Sequence, residues 1–197
     1  MTQEEFLIAK KEYIELLVST ERKNIEGLIS FLEKNDFFDA PSSSKYHSSF
    51  KHGLLFHSLN VYHNLIKLAD IYDLEKSINT NSIIITSLLH DICKTSFYVL
   101  EKRNKKINGI WEEVDVYTIN DTFPAGHGEK SVIIAQQFIK LSMEEILAIN
   151  WHMGGFDIRC MDYQGKTALS NAMEKFKLVT LLHMSDVAAT YLDEKRE

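Results

Sequence analysis

The segment 87-SLLHDICK-94 places a histidine and an aspartate side by side at the end of an apolar helical run. Imidazole and carboxylate groups are both first-rank ligands for divalent transition metals. Neighbouring side chains on a helix point about 100° apart, so His90 and Asp91 can face one metal centre only where their helix passes close to it. Lys94 lies three residues after Asp91 and shares this face if the helix continues.

Histidine and aspartate recur in four other segments, each at or near a predicted helix. These segments are 52-HGLLFHS-58, 126-GHGEKS-131, 149-INWHMGG-155 and 181-LLHMSDVAA-189. A single histidine on an apolar helical face is more often a hydrogen-bonded core residue than a ligand. The number and order of these side chains nevertheless point to a metal centre. The six candidate ligands are His57, His90, Asp91, His127, His152 and Asp186.

Helical periodicity on both sides of the His-Asp doublet predicts an all-α fold. Two amphipathic helices precede a loop that contains Pro41 and three serines. Between about residues 97 and 123 the pattern changes to alternation, and the pair Asn108-Gly109 within it predicts a β-hairpin inserted into the helical body. Further helices are predicted over about residues 54–72, 82–92, 128–141, 143–152 and 168–193, with a cap for the second of these at residues 79–81.

Composition narrows the class of protein and its partners. A chain of 197 residues is long enough for one substantial core and does not demand a second domain. The net charge of −6 argues against binding of duplex nucleic acid, because that needs a broad basic face. The N-terminal segment is charged and has no apolar core, and the two cysteines do not form a disulfide framework. We therefore expect a cytoplasmic protein without a membrane segment; its oligomeric state is not encoded in these patterns.

Over about residues 46–190, the quoted segments resemble the HD-domain superfamily of metal-dependent phosphohydrolases. The resemblance implies an HD-domain helical bundle over residues 46–197, with the hairpin as an insertion and the N-terminal helices of residues 1–45 packed on it as part of one structural domain. It also implies two divalent metal ions bridged by one carboxylate. The implied ligands are His57, His90, Asp91 and Asp186 for the first ion, and His127, His152 and again Asp91 for the second.

The resemblance further implies that a phosphate ester is cleaved by water that the metals activate. Two ions about 3.5–4 Å apart can polarise a phosphoryl oxygen and lower the pKa of a shared water. Asp91 would hold that separation, and Lys94 would contact the substrate phosphate, since His-Asp-x-x-Lys is frequent in the family. The expected substrates are a nucleotide, a cyclic nucleotide or a short single-stranded RNA or DNA. Histidine-rich coordination suits Mn²⁺, Fe²⁺, Co²⁺, Ni²⁺ or Zn²⁺.

Other substrate contacts are weaker candidates with ordinary structural alternatives. His52 could lie at the lip of the site, and His183, one turn before Asp186, could contact substrate or simply belong to the core. Arg159 could reach an anionic substrate, although an arginine in a surface loop is usually solvated. Lys94 itself could face solvent at a helix end.

Two other classes of function remain open at this stage. Some HD-domain proteins with the same six ligands use two irons and dioxygen to oxidise a small polar substrate. Alternatively, the metals could hold together a non-catalytic regulatory module, with the N-terminal helices and the hairpin as partner surfaces. Oxygen dependence separates the first alternative from a hydrolase, and the absence of any turnover would favour the second.

Overall fold

A computed structural model describes residues 2–45, 48–74 and 76–194 of the chain. Helices account for most of its regular structure, and a single antiparallel hairpin accounts for the strands in the described residues. Between α4 and β1, and between α6 and α7, the chain forms short 3₁₀ turns. The elements are α1 (Gln3–Ser19), α2 (Ile25–Lys34), α3 (Gly53–Ile71), α4 (Thr80–Leu89), β1 (Tyr98–Ile107), β2 (Ile110–Ile119), α5 (His127–Gln136), α6 (Met143–Asn150), α7 (Tyr163–Lys175) and α8 (Lys177–Ala188).

Several helices begin at side chains that satisfy free backbone N–H groups. Thr2 and Glu5 form a capping box at the start of α1, and Ser142 and Glu145 form another at the start of α6. At the start of α4, the side chain of Asn79 accepts a hydrogen bond from the backbone N–H of Asn81. The predicted cap of this helix is therefore present.

Helices α3 and α4 form the centre of the fold, because both contribute to two separate apolar clusters. One cluster joins them to α1, α2 and α5, and the other joins them to α6, α7 and α8. Tyr13 of α1 is fully buried in the first cluster, and its hydroxyl donates a hydrogen bond to the Leu88 carbonyl of α4 at 2.7 Å. The N-terminal helices thus pack directly on the helix that leads to the His-Asp doublet. The predicted boundary between these helices and the HD domain, at residue 46, stays a prediction.

The hairpin lies at the predicted place and is anchored at its base. Its turn has φ of 50° at Asn108 and 89° at Gly109, which is the left-handed geometry that an Asn-Gly pair adopts readily. Lys130 of α5 bonds Asp121 at 2.6 Å and lies over the rings of Phe97 and Phe123. This buried ammonium joins the base of the hairpin to the start of α5, next to His127.

Three predicted helix boundaries were wrong. The helix predicted over residues 128–141 ends at Gln136, because the next two backbone N–H groups bond the carbonyls three residues earlier and the chain turns away. The helix predicted over residues 82–92 ends at Leu89, because Asp91 leaves the helical region with φ −108° and ψ 16°, and Ile92–Lys94 form a 3₁₀ turn. The helix predicted over residues 168–193 is two helices, α7 and α8, separated by Phe176 in an extended conformation. The turn lets both helices bury apolar residues in the same cluster.

In the described part of the chain, no helix has both the length and the apolar character needed to cross a membrane.

Candidate metal centre

The six predicted ligands come from five different helices or their ends and meet between the two apolar clusters. Four of them have fully or almost fully buried side chains, whereas the side chains of His127 and Asp186 are partly exposed at 33% and 15%. The structure therefore brings the whole predicted set together. His57 lies on α3, His90 caps α4, Asp91 follows it, His127 begins α5, His152 follows α6, and Asp186 lies on α8.

The two carboxylate oxygens of Asp91 face different partners. Oδ2 lies 3.6 Å from His57 Nε2 and 3.5 Å from His90 Nε2. Oδ1 lies 2.7 Å from His127 Nε2 and 3.5 Å from His152 Nε2. A carboxylate placed in this way can bind one cation through each oxygen, which is the arrangement that a bridging ligand requires.

His90 and His152 are oriented by the helix that precedes each of them. His90 Nδ1 donates to the Ser87 carbonyl at 2.8 Å, and His152 Nδ1 donates to the Ile149 carbonyl at 2.7 Å. Both acceptors are carbonyls of the last helical turn, three residues before the histidine that bonds them. With the proton held on Nδ1, each ring presents the lone pair of Nε2 to the centre of the cluster.

His57 is oriented by a carboxylate that the sequence analysis missed. Its Nδ1 lies 2.7 Å from an oxygen of Glu194, a residue 137 positions further along the chain. Its Nε2 lies 3.3 Å from Asp186 and 3.2 Å from His90 Nε2. A carboxylate that orients a metal-bound imidazole is a common feature of metal sites. No sequence spacing relates Glu194 to His57, so only the tertiary structure could reveal it.

The charges of the cluster shift the pKa values of its members in opposite directions. Burial by itself lowers the pKa of His57, but the carboxylates of Asp186 and Glu194 outweigh it and raise that pKa to about 10. Burial dominates at His90 and His127 and lowers the pKa of both imidazoles. Burial also lowers the pKa of His152, but the carboxylate of Asp91 outweighs it and raises that pKa.

The two acidic ligands remain ionised despite their burial. Burial raises the pKa of Asp91, but the charge of Lys94 and the neighbouring imidazoles outweigh it and hold that pKa well below its usual range. The pKa of Asp186 is lowered in the same way, by His57 above all once burial is overcome. Lys94 Nζ lies 2.6 Å from Asp91 Oδ2. The two side chains therefore lie on the same side of the chain, as their spacing predicted, although a 3₁₀ turn and not a continuing α-helix places them there; the predicted contact of Lys94 with a substrate phosphate stays a prediction.

Cys93 is a second residue that the sequence analysis did not connect with the site. Its sulfur lies 3.2 Å from His127 Nδ1, on the opposite side of the ring from the nitrogen that contacts Asp91. Burial raises the pKa of the Cys93 thiol to about 12, so it stays protonated. The backbone N–H of Cys93 donates to Ser131, which ties the doublet to α5.

The donor set fits divalent metal ions. Three groups of three possible ligands each have their ligand atoms within 4.8 Å of one another, and the third of them includes Cys93: His57, His90 and Asp186; His90, Asp91 and His152; Asp91, Cys93 and His127. Within the described part of the chain, His152 Nε2 is buried without a hydrogen-bond partner. The Nε2 atoms of His57 and His90 face each other at 3.2 Å, so at least one needs a proton or a cation between them. Buried acceptors that face one another in this way are stabilised by cations.

A cavity of about 240 Å³ opens onto this cluster. Its polar side is formed by Asp91, Lys94, His127 and Asp186. A small molecule in the cavity can therefore contact both Asp91, the predicted bridging ligand, and the Lys94 ammonium. The remaining lining residues are Met153, Phe156, Val187, Thr190 and Tyr191.

The three weaker candidates have structural contacts of their own. His52 stacks on the ring of Phe6 and bonds the Phe38 carbonyl at 2.7 Å. His183 Nδ1 donates to the His152 carbonyl at 2.7 Å and so supports the backbone of a predicted ligand. Their predicted roles in substrate binding are not tested by these contacts.

Arg159 is held in a polar network beside the site. Its guanidinium donates to Asp157, Glu129 and the Asn150 carbonyl, and it lies 4.1 Å from the ring of Trp151. Paired in this way, it supports the segment around His152. A direct contact between Arg159 and substrate stays a prediction.

Comparison with known proteins gives one result that bears on this site. The family model described as HD domain matches residues 54–190, a span that contains all six predicted ligands. Searches of curated proteins and of solved structures found no significant match. HD domains bind divalent metals, and hydrolase activity is common among them. From the match over most of its length and the clustered ligands, we conclude that the chain belongs to the HD-domain family.

Proposed function

We propose that this protein is a metal-dependent phosphohydrolase that cleaves a phosphate ester with two divalent metal ions. The observation that carries the proposal is the division of Asp91, with one oxygen toward His57 and His90 and the other toward His127 and His152. When bound, two such ions supply Lewis acidity for the phosphoryl oxygens and activate a water molecule.

The chain's own residues then bind and orient the substrate. Lys94 lines the cavity beside Asp91, and its ammonium is the nearest positive charge to a phosphate that approaches the metals. A lysine in this position suits a phosphate oxygen as a point charge, and it stabilises the negative charge that develops in the transition state. Asp91 would hold both ions, one through each oxygen, and it keeps Lys94 in place.

For the substrate, we propose a nucleotide, a cyclic nucleotide or a short single-stranded oligonucleotide. The cavity of about 240 Å³ is of a size for one small phosphate ester and not for a duplex. The net charge of −6 supports the same limit. No duplex nucleic acid and no membrane is required as a partner in this proposal.

The test is an assay of the full chain, loaded in parallel with Mn²⁺ and with Fe²⁺, against nucleoside phosphates, cyclic nucleotides and short RNA, with and without oxygen. We expect phosphate release or diester cleavage that does not depend on oxygen and is absent in Asp91→Ala. Asp70→Asn, an exposed carboxylate on the same helix as His57, serves as the control that retains activity. Turnover that requires oxygen would instead indicate a di-iron oxygenase.

Metal content tests the two-ion part of the proposal separately. Wild-type protein is expected to retain two ions per chain after dialysis, and His127→Ala and His152→Ala to retain fewer, because each removes a ligand of the second ion. If both variants retained two ions per chain, the binuclear assignment would fail.

A further inference from the structure

One wall of the metal-centre cavity is apolar and open to solvent. Phe156 and Tyr191 line the cavity although their side chains are 68% and 55% exposed. Met153 and Val187 also line this cavity, together with Asp91, Lys94, His127 and Asp186. Large apolar side chains left in water around a concave site are typical of ligand-binding surfaces.

The apolar wall continues away from the metals. A second cavity of about 360 Å³ is also lined by Val187 and Tyr191, so these two side chains form a boundary shared with the first cavity. The second cavity further contains Met184, Ala188 and Leu192, the last of which is 82% exposed. Together the two cavities form a groove with a charged end at the metals and an apolar end along α8.

The spacing of residues on α8 explains this arrangement. Asp186 and Val187 are adjacent on α8, and Thr190 and Tyr191 follow in the π-helical segment Ala189–Asp193, so one continuous helical stretch carries a predicted metal ligand and the start of the apolar wall. The 3₁₀ turn Gly154–Phe156, which comes after His152 and Met153, contributes Phe156 to the same cavity. Apolar side chains from two separate segments thus lie in the cavity that holds the candidate ligands.

We propose that the substrate is an amphipathic phosphate ester, whose phosphate lies at Asp91 and Lys94 and whose attached aromatic or hydrocarbon group lies between Phe156 and Val187–Tyr191. This inference rests on the proposed phosphohydrolase function and names the chemistry of its substrate. The occupant is the substrate's own organic group, because the apolar wall belongs to the same cavity as the ligands. A nucleobase, an aryl group and an alkyl group each have apolar surface that can contact this wall.

The experiment measures binding by calorimetry to the Mn²⁺-loaded full chain, so it does not depend on turnover. The probes are methylphosphonate, benzylphosphonate and adenosine 5′-monophosphate. Burying a phenyl ring on the wall is expected to make benzylphosphonate bind roughly tenfold more tightly than methylphosphonate, with a more negative heat-capacity change. Phe156→Ala and Val187→Thr are expected to reduce that ratio toward one.

Ile158→Ala is the matched control, because Ile158 is 84% exposed two residues after Phe156 and lines neither cavity. It should leave the ratio unchanged. Tighter binding of the nucleotide that is also lost in Phe156→Ala would identify a nucleobase as the apolar group.

Three results would overturn the proposal: equal affinity for the two phosphonates, a preference that persists in Phe156→Ala and Val187→Thr, or nucleotide binding that is tight but insensitive to both. A change of oligomeric state in Phe156→Ala without a change in the ratio would likewise show that the wall is a protein interface. If benzylphosphonate is preferred but no phosphate ester is ever cleaved, the proposed hydrolysis fails and the apolar subsite stands.

Discussion

Two buried polar clusters of this protein are built on opposite principles. In the first, the carboxylate of Glu145 on α6 accepts hydrogen bonds from Arg22, from the hydroxyl of Ser82 at 2.7 Å and from the backbone N–H of Ser142 at 2.7 Å. Each acceptor meets a donor, and the positive charge of Arg22 balances the negative charge. This cluster is complete without any further atom.

The second cluster is the candidate metal centre, where acceptors face one another. The imidazole nitrogens of His57 and His90 lie 3.2 Å apart, and that of His152 is buried without a hydrogen-bond partner in the described chain. A buried cluster in which every acceptor has a donor stabilises the fold by itself. A buried cluster in which acceptors face one another is stabilised when it binds a cation. This difference in hydrogen-bond pairing distinguishes the structural ion pair at Glu145 from the candidate cation-binding site, and it does not depend on the family match.

The largest effect that this comparison predicts is at Asp91. Asp91→Asn keeps the shape of the side chain but removes the charge that both proposed ions would share, so we expect loss of bound metal and a fall in activity of about thousandfold or more. Metal content after dialysis and steady-state kinetics measure the two effects. Retention of both ions in Asp91→Asn would contradict the bridging role.

A large effect on stability, and not on chemistry, is expected at Glu145. Glu145→Ala leaves the largely buried guanidinium of Arg22 without its partner, which typically costs about 3 kcal/mol in the free energy of unfolding. Urea unfolding measures the loss, and metal content per folded chain should not change.

The neighbouring Glu144→Ala is the control for this prediction, because Glu144 is only partly buried on the same helical turn. If Glu145→Ala instead removed metal and left stability unchanged, the distinction between the two clusters would be wrong.

An intermediate effect is expected at Glu194, which orients His57 from outside the ligand set. Glu194→Ala should weaken metal binding by about 10- to 100-fold, because the His57 ring loses the carboxylate that fixes its orientation. Glu194→Gln should lose less, since its amide oxygen still accepts from Nδ1. Competition with a chelator measures these affinities.

Asp193→Asn is the matched control, because Asp193 bonds Asn64 on an exposed surface at 2.6 Å. Equal losses in Asp193→Asn and Glu194→Ala would indicate that the C-terminal turn, and not the carboxylate, supports the site.

The smallest effect is expected at Cys93. Cys93→Ala removes the sulfur beside His127 Nδ1 and should weaken binding of the second ion several-fold, as expected when a weak orienting contact is lost. Stoichiometric titration with Co²⁺, followed by its absorption spectrum, distinguishes this ion from the first. Cys160→Ala, the other buried cysteine, should leave the titration unchanged.

The position of Lys94 shows how well a local spacing pattern in the sequence predicts the structure. Its spacing predicted that it shares a face with Asp91 on a continuing helix; the helix ends at Leu89, yet Lys94 Nζ lies 2.6 Å from Asp91 Oδ2. A 3₁₀ turn also brings residues three apart together, so the two side chains meet despite the wrong boundary. The break at Phe176 had no such signal, because neither glycine nor proline marks it.

The amino-acid sequence by itself determined the residue types of the metal ligands, the helical class of the fold and the hairpin with its Asn-Gly turn. These features depend on periodicity and on side-chain chemistry, which short segments carry by themselves. Only the tertiary structure decided which oxygen of Asp91 faces which imidazole, that Glu194 and Cys93 orient two of the histidines, and that one wall of the cavity is apolar. Such features depend on how distant helices pack, because the distance between residues far apart in the chain is set by the whole core.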